Sequence, residues 1–166
     1  PMTRDGLEKT WISRMRGLLL DLEKRVNKNA ILCFYGPPET LVYIHSVVPS
    51  SARYHNWIVI RKEISGESAL GNEHDGITIY QRGEGTLNHA KIRVGYTYCP
   101  ECDKTTKDYG GRKHLYHESG TLMSDVWTDF VVSEEPDGLD AAILRVRDML
   151  SVGRRAVMSI IHISDE

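Results

Sequence analysis

The sequence predicts a layered α/β domain, because amphipathic helices alternate along it with short apolar strands. The first helix is expected over 7–26, where apolar residues recur every three or four positions and form one buried stripe. The stripe consists of Trp11, Ile12, Met15, Leu18, Leu19, Leu22 and Val26. The continuous apolar run 30–35 then predicts a strand, which Gly36, Pro37 and Pro38 end.

The remaining elements continue this alternation. A second helix is expected over 39–48, and strands are expected over 57–60 and 77–80. Charged and apolar side chains alternate over 91–98, which predicts a strand with one solvent-exposed face. A last helix fits 139–150, with Asp137 as its candidate cap, and a closing strand fits 156–163. With 166 residues and no repeat or low-complexity linker, the chain is expected to form a single domain, 1–166.

Composition narrows the class of protein. Hydrophobic residues make up 40% of the chain and charged residues 27%, which is ordinary for a soluble globular domain. No apolar run approaches the roughly 20 residues that span a bilayer, and the amino terminus lacks a secretory pattern, so we expect a cytoplasmic protein without a membrane partner. Three cysteines do not form a disulfide framework.

Two of those cysteines have the spacing of a metal site. Cys99 and Cys102 are separated by two residues, and His114 and His117 follow after eleven more, so the four side chains are a candidate set of structural zinc ligands. The two-residue gap between the histidines is shorter than the usual three to five. The alternative is that the cysteines form an ordinary turn and the histidines face solvent.

A basic loop follows the cysteines. The net charge of the chain is -2, yet Lys104, Lys107, Arg112 and Lys113 lie close together in it. A local basic face can contact nucleic-acid phosphates even on an acidic chain, and Tyr109 could stack on a base. The alternative is a solvated loop of mixed charge.

The segment that carries these residues resembles a known family. The runs CPECDKTTKDYGGRKH and GTLMSDVWTDF, together with 54–62 and 74–80, are similar to the DNA amino-methyltransferases that modify adenine N6 or cytosine N4. The resemblance implies a partial Rossmann-like methyltransferase sheet with flanking helices and a zinc-knuckle-like insertion, 96–130, that recognises DNA. It also implies a pocket role for Asp125 and Trp127, although a core tryptophan is the simpler interpretation of Trp127.

The resemblance does not include the catalytic parts of the family. The catalytic run of Asp or Asn, two prolines and an aromatic residue is absent, and the sole Pro-Pro pair, Pro37-Pro38, lies between Gly36 and Glu39. The glycine-rich S-adenosylmethionine loop is absent as well. We therefore assign no catalytic residue and expect cofactor binding only if a partner completes the site.

These features leave several functions open. In the first, the chain is the recognition part of a split DNA methyltransferase that belongs to a restriction-modification system. Its partners would then be double-stranded DNA and either a methyltransferase chain or a second copy of this chain. Another is a catalytically degenerate homologue, a pseudoenzyme that binds DNA. The alternative from a different class is a zinc-stabilised protein-interaction module. An independent hydrolase is the weakest hypothesis, because no spacing of histidines and Cys33 identifies a catalytic triad.

Overall fold

The computed structural model describes residues 4–63, 73–84, 87, 90–96, 98–102, 104–105, 116–132 and 136–150. Three helices and six strands lie in these ranges. They are α1 (Arg4–Arg25), β1 (Ile31–Gly36), α2 (Pro38–Val47), β2 (Ala52–Lys62), β3 (His74–Arg82), β4 (Arg93–Val94), β5 (Thr121–Leu122), β6 (Val126–Val132) and α3 (Pro136–Met149).

The main sheet has four strands in the order β1-β3-β2-β6. β3 pairs antiparallel with both β1 and β2, whereas β2 pairs parallel with β6. The predicted α/β class is thus confirmed as a mixed sheet with flanking helices. A Rossmann-like sheet is mainly parallel, and two of the three strand pairs described here are antiparallel, so that finer prediction is not shown.

Helices cover both faces of this sheet. Neighbouring residues of a strand point to opposite faces of the sheet. On one face, a Cβ at Gly76 would contact Leu41 of α2. On the other face, Ile77 packs in the cluster that includes residues of α3. The core on the α3 side is formed chiefly by Ile58, Ile60, Ile77, Ile79, Trp127, Val132, Ala142, Val146 and Met149. A second cluster packs α1 on α2 through Met15, Leu19, Ile44 and Val47.

The amphipathic first helix is confirmed. Met15 and Leu19 are buried, and Trp11, Ile12 and Leu22 are partly buried against the same cluster. Full burial of such a side chain contributes about 1.5–3 kcal/mol. α1 is therefore held mainly by its apolar stripe, as its spacing predicts.

Several predicted boundaries differ from the structure. The strand predicted over 91–98 is reduced to β4, with an isolated bridge between Tyr98 and Thr105. α3 begins at Pro136, so Asp137 lies within the helix rather than capping it. β5 and β6 were not predicted as strands, and the closing strand expected over 156–163 lies outside the described residues.

A small sheet, formed by β4 and β5, lies between β3 and β6 in the chain. Ile92 and Met123, which flank its two strands, pack against the α3-side core, and the Met123 N–H donates to the Ile92 carbonyl at 2.9 Å. The last residues of the predicted insertion, 126–130, belong to β6 of the main sheet. Within the described part of the chain, none of the helices has the length and apolar character to cross a membrane.

Candidate functional site

The cysteines Cys99 and Cys102 lie in a tight hairpin, which we call the cysteine hairpin (98–102 and 104–105). Tyr98 bridges Thr105 in antiparallel fashion, and the Cys99 N–H donates to the Lys104 carbonyl at 2.9 Å. Pro100 suits the turn because its ring fixes φ near the value that an early turn position needs. The two thiols are thus carried by one short turn and both are free.

The environment of the Cys99 sulfur favours negative charge. The pKa of Cys99 is lowered by a hydrogen bond from the backbone N–H of Cys102, and then by one from the N–H of Glu101 and by the Cys102 side chain. Backbone donors stabilise a thiolate more than a neutral thiol. These donors therefore favour the thiolate form of Cys99 over its neutral thiol.

Two tyrosines hold the following segment against the strand that leads to this hairpin. The rings of Tyr96 and Tyr116 stack with centroids 5.0 Å apart, and the His117 N–H donates to the Tyr96 hydroxyl at 2.9 Å. The hydroxyls of Thr105 and Tyr116 are 3.0 Å apart. These contacts connect the hairpin, the chain that follows β4 at Tyr96 and the chain around His117 through polar and aromatic side chains.

His117 opens a turn. Its carbonyl accepts the Gly120 N–H at 2.9 Å, and its Nδ1 accepts the Ser119 N–H at 3.1 Å. Because Nδ1 is the acceptor, the neutral ring carries its proton on Nε2. Gly120 has φ +89°, and a Cβ there would meet the Val94 carbonyl, so the turn requires glycine.

The predicted zinc ligands are only partly described. Cys99 and Cys102 share the hairpin and His117 lies in the adjoining segment, whereas His114 lies outside the described residues. Among the residues that the structure describes, no three or more His, Cys, Asp and Glu side chains gather as a metal site. The structure therefore brings two of the four predicted ligands together.

The predicted DNA-contacting residues are likewise divided. Lys104 is exposed on the hairpin, while Lys107, Tyr109, Arg112 and Lys113 lie outside the described residues. Tyr98, which sequence reasoning did not select, is 54% exposed beside Lys104. The alternation of 91–98 places Tyr98 on the apolar face together with Ile92 and Val94, so that pattern does not predict its exposure.

Trp127 lies in the core, as the simpler interpretation of its motif predicts. Its ring is 1% exposed, and its indole Nε1 donates to the Ser124 carbonyl at 3.1 Å. The guanidinium of Arg145 lies over it, 5.1 Å from the ring centroid. Asp125 is exposed, and its backbone carbonyl accepts the Val59 N–H at 2.7 Å, so this residue joins β2 to the start of β6.

A second polar cluster was not found from the sequence. Asp75 is buried, accepts a hydrogen bond from the Tyr35 hydroxyl at 2.6 Å, and forms an ion pair with Lys62 at 3.2 Å. The pKa of Tyr35 is raised, first by burial and then by Asp75. Tyr35 and Asp75 are 40 residues apart, so strand pairing rather than sequence spacing brings them together.

One crevice lies between α1 and the start of β2, lined by Leu19, Leu22, Val26 and Pro49 among others. Its cavity volume is about 10 Å³, which is room for about one water molecule. This crevice is thus far too small for a nucleotide-sized cofactor.

Comparison with known proteins gives one informative similarity. The chain is similar to the type II methyltransferase M.BamHI of Bacillus amyloliquefaciens, with 26% identity over 100 residues, which is 59% of this chain. The chain matches only 24% of the length of that relative. No protein-family model matches the sequence. The similarity supports, at most, a distant relationship with methyltransferases.

Proposed function

We propose that this chain is the DNA-recognition part of a DNA methyltransferase-related protein and does not transfer methyl groups by itself. The observation that carries the proposal is its similarity to about a quarter (24%) of a type II methyltransferase, combined with the exposed Tyr98 and Lys104 of the cysteine hairpin. Double-stranded DNA is the ligand that this relationship suggests. S-adenosylmethionine would bind only where a partner chain supplies the missing loop.

The cysteine hairpin supports a recognition role because it presents side chains suited to a nucleic acid. Tyr98 is 54% exposed and can stack on a base or contact a sugar, while the exposed Lys104 can contact a phosphate. Lys107, Tyr109, Arg112 and Lys113 follow in the sequence and extend the same chemistry. The stacked rings of Tyr96 and Tyr116, with the contact between the Thr105 and Tyr116 hydroxyls, attach the hairpin to the segment that contains His117.

The Pro37-Pro38 pair, which is the part of the chain most similar to the catalytic motif of the family, lies at the start of helix α2. Pro37 caps α2, and its carbonyl accepts the N–H groups of Thr40 and Leu41 at 3.0 and 3.1 Å. Gly36 precedes it where the family has a polar side chain, and Glu39 follows where the family has an aromatic ring. This segment therefore has neither the polar group nor the ring that would hold a flipped base.

Two versions of this function differ in the partner. In a split enzyme, another chain supplies the base pocket and the cofactor loop, and methyl transfer requires both chains. In a degenerate homologue, the chain binds DNA alone or as a homodimer without methyl transfer. Mixing the chain with a neighbouring methyltransferase gene product and measuring methyl transfer separates them.

DNA binding can be tested by fluorescence anisotropy with duplex DNA at a series of salt concentrations. Each phosphate contact contributes about 0.9 to the slope of log affinity against log salt. Replacing Lys104, Lys107, Arg112 and Lys113 with alanine should therefore lower the slope by up to about 3.6. A matched control removes four exposed charges of α1 and its end, namely Arg16, Lys24, Arg25 and Lys28.

The control variant is expected to keep the slope of the original chain. Equal loss in both variants would mean that only total charge matters, and would contradict a recognition site at the hairpin. Absence of any salt-dependent affinity in the original chain would contradict DNA binding itself.

The alternative, a zinc-stabilised protein-interaction module, is favoured by exposed hydrophobic residues on the small sheet and on the cysteine hairpin. Leu122 of β5 is 44% exposed and Tyr98 is 54% exposed, and apolar patches of this kind can bind proteins. Binding of a protein partner that is insensitive to salt, without measurable DNA affinity, would favour this alternative.

A further inference from the structure

We propose that Cys99 and Cys102 form a reversible redox pair, which closes to a disulfide within the cysteine hairpin by exchange with a small-molecule disulfide such as oxidised glutathione. The proposal does not depend on DNA binding, because it concerns the covalent state of the hairpin. Its first support is that both thiols belong to one turn, whose register is fixed by the Tyr98–Thr105 bridge and the Cys99–Lys104 hydrogen bond.

The turn brings the two cysteines to the separation that a disulfide needs. Pro100, Glu101 and Cys102 form the turn that follows Cys99. The first and last Cα atoms of a four-residue turn are less than about 7 Å apart, and a disulfide joins Cα atoms about 4.4–6.8 Å apart. The Cys102 thiol also hydrogen-bonds the Cys99 sulfur, so the two side chains already face each other.

Both thiols are open to a reagent from solution. Cys102 is exposed and Cys99 is only half-buried, so neither fills the core in the way that inert cysteines usually do. Both are free thiols, which is the reduced state of such a pair. Two cysteines separated by two residues are a spacing that redox-active pairs use, and exposure is a condition for their reaction.

The exchange takes place in two steps. The thiolate of one cysteine attacks a sulfur of oxidised glutathione, which forms a mixed disulfide and releases one glutathione as a thiolate. The thiolate of the other cysteine then attacks the protein sulfur of the mixed disulfide, which forms the Cys99–Cys102 bond and releases the second glutathione. The two protein thiols are oxidised, oxidised glutathione is reduced to two thiols, and the two protons pass to the released glutathiones through water.

Closure of the disulfide has a structural consequence for the hairpin. A two-stranded hairpin of this size is marginally stable by itself. A covalent bond across the turn removes open conformations of the hairpin. The Cys99 amide is a local reporter of this change, because its hydrogen bond to the Lys104 carbonyl breaks whenever the hairpin opens.

The test equilibrates the full chain with reduced and oxidised glutathione at varied ratios in metal-free buffer, alkylates the remaining thiols and measures intact mass and disulfide-linked peptides. We expect Cys99 and Cys102 to be oxidised together, with an equilibrium that depends on the square of the reduced glutathione concentration. Cys99→Ser and Cys102→Ser should each form a mixed disulfide instead, with a first-power dependence. Cys33→Ser, the matched cysteine control in β1, should retain the squared dependence.

A second measurement on the unaltered chain guards against misfolding of the variants. Hydrogen exchange of the Cys99 amide should slow several-fold in the oxidised chain and return to its first rate when a reductant is added. Thiols that stay free in a large excess of oxidised glutathione would overturn the proposal. A disulfide that links two chains or includes Cys33, or an unchanged exchange rate of the Cys99 amide, would overturn it as well.

Discussion

Gly76 lies in β3 where the strand passes close to two large side chains. A Cβ at this position would stand 2.6 Å from Trp57 Nε1 and 2.8 Å from Leu41 Cδ1. No real side chain tolerates such distances, so one of the two neighbours must shift. The glycine is therefore needed for packing between the sheet and α2 rather than for its backbone angles.

A pair of glycine substitutions tests this account. Gly76→Ala should lower the free energy of unfolding by about 1–3 kcal/mol, because it overpacks the contact. Gly17→Ala, the control, lies in α1 with nothing within 4 Å of the added Cβ, so it should raise stability by about 0.5–1 kcal/mol through helix propensity. Urea unfolding measures both, and equal effects would contradict the packing argument.

The Tyr35–Asp75 hydrogen bond gives a pH dependence. Burial and Asp75 raise the pKa of Tyr35 above its usual value, and burial also raises the pKa of Tyr80. When the pKa of a group is higher in the folded chain than in the unfolded chain, the group stabilises the fold fully at a pH below its pKa in the unfolded chain, which is about 10 for tyrosine. This stabilisation is lost as the pH rises further. Stability should therefore fall as the pH rises above about 10.

Tyr35→Phe should make part of this alkaline loss disappear, and the remainder is expected from Tyr80. Urea unfolding between pH 8 and about 11 measures the effect, with Tyr98→Phe as an exposed-tyrosine control. An unchanged pH profile in Tyr35→Phe would contradict the raised pKa of Tyr35 in the folded chain.

Little of this residue-scale chemistry can be predicted from the sequence. Tyr35, Lys62 and Asp75 belong to three strands, and only the register of β1, β2 and β3 brings them together. The cysteine pair is different, because its two-residue spacing already predicts a shared turn. Local spacing therefore predicted the turn between the two cysteines, whereas the Asp75 cluster depends on the pairing of distant strands.

At the scale of elements, Arg145 adds a polar contact between β6 and α3 to the apolar packing of these two elements. Arg145 donates two hydrogen bonds to Asp129, both 3.1 Å long, and its guanidinium lies 5.1 Å from the Trp127 ring centroid and 4.8 Å from that of Phe130. A planar guanidinium can form both contacts at once. A lysine ammonium cannot form the paired hydrogen bonds.

Arg145→Lys should therefore lower the free energy of unfolding by about 0.5–1.5 kcal/mol. The matched control is Arg147→Lys, since Arg147 contacts Asp148 at 3.5 Å on a surface where both side chains are more exposed. The control should change stability by less than about 0.5 kcal/mol. A double-mutant cycle with Asp129→Asn isolates the pair, and zero coupling would contradict the contact.

Element prediction succeeded where the pattern is local. The three- and four-residue spacing of α1 and the apolar run of β1 correspond to the observed elements. β6 was missed because VWTDFVV contains Thr128 and Asp129 and was interpreted as a motif rather than a strand. Its parallel pairing with β2 joins segments more than 60 residues apart, which no local pattern encodes.

At the scale of the whole molecule, a mixed sheet supports a small sheet and a cysteine hairpin. Ile92 and Met123 pack the small sheet against the α3-side core. The cysteine hairpin follows β4 in the chain and is therefore connected to the core through this sheet. The α/β class was predictable from alternating helices and strands. The antiparallel pairing of β1, β3 and β2 was not, because the same apolar strands could form a parallel sheet.

The central claim is that this chain recognises DNA without binding the methyl donor on its own. Calorimetric titration of the purified chain, with duplex DNA and with S-adenosylmethionine, tests it most directly. We expect saturable heat for DNA, and none for S-adenosylmethionine either in the absence or in the presence of DNA. Saturable S-adenosylmethionine binding by the chain alone would contradict it and would show a complete cofactor site.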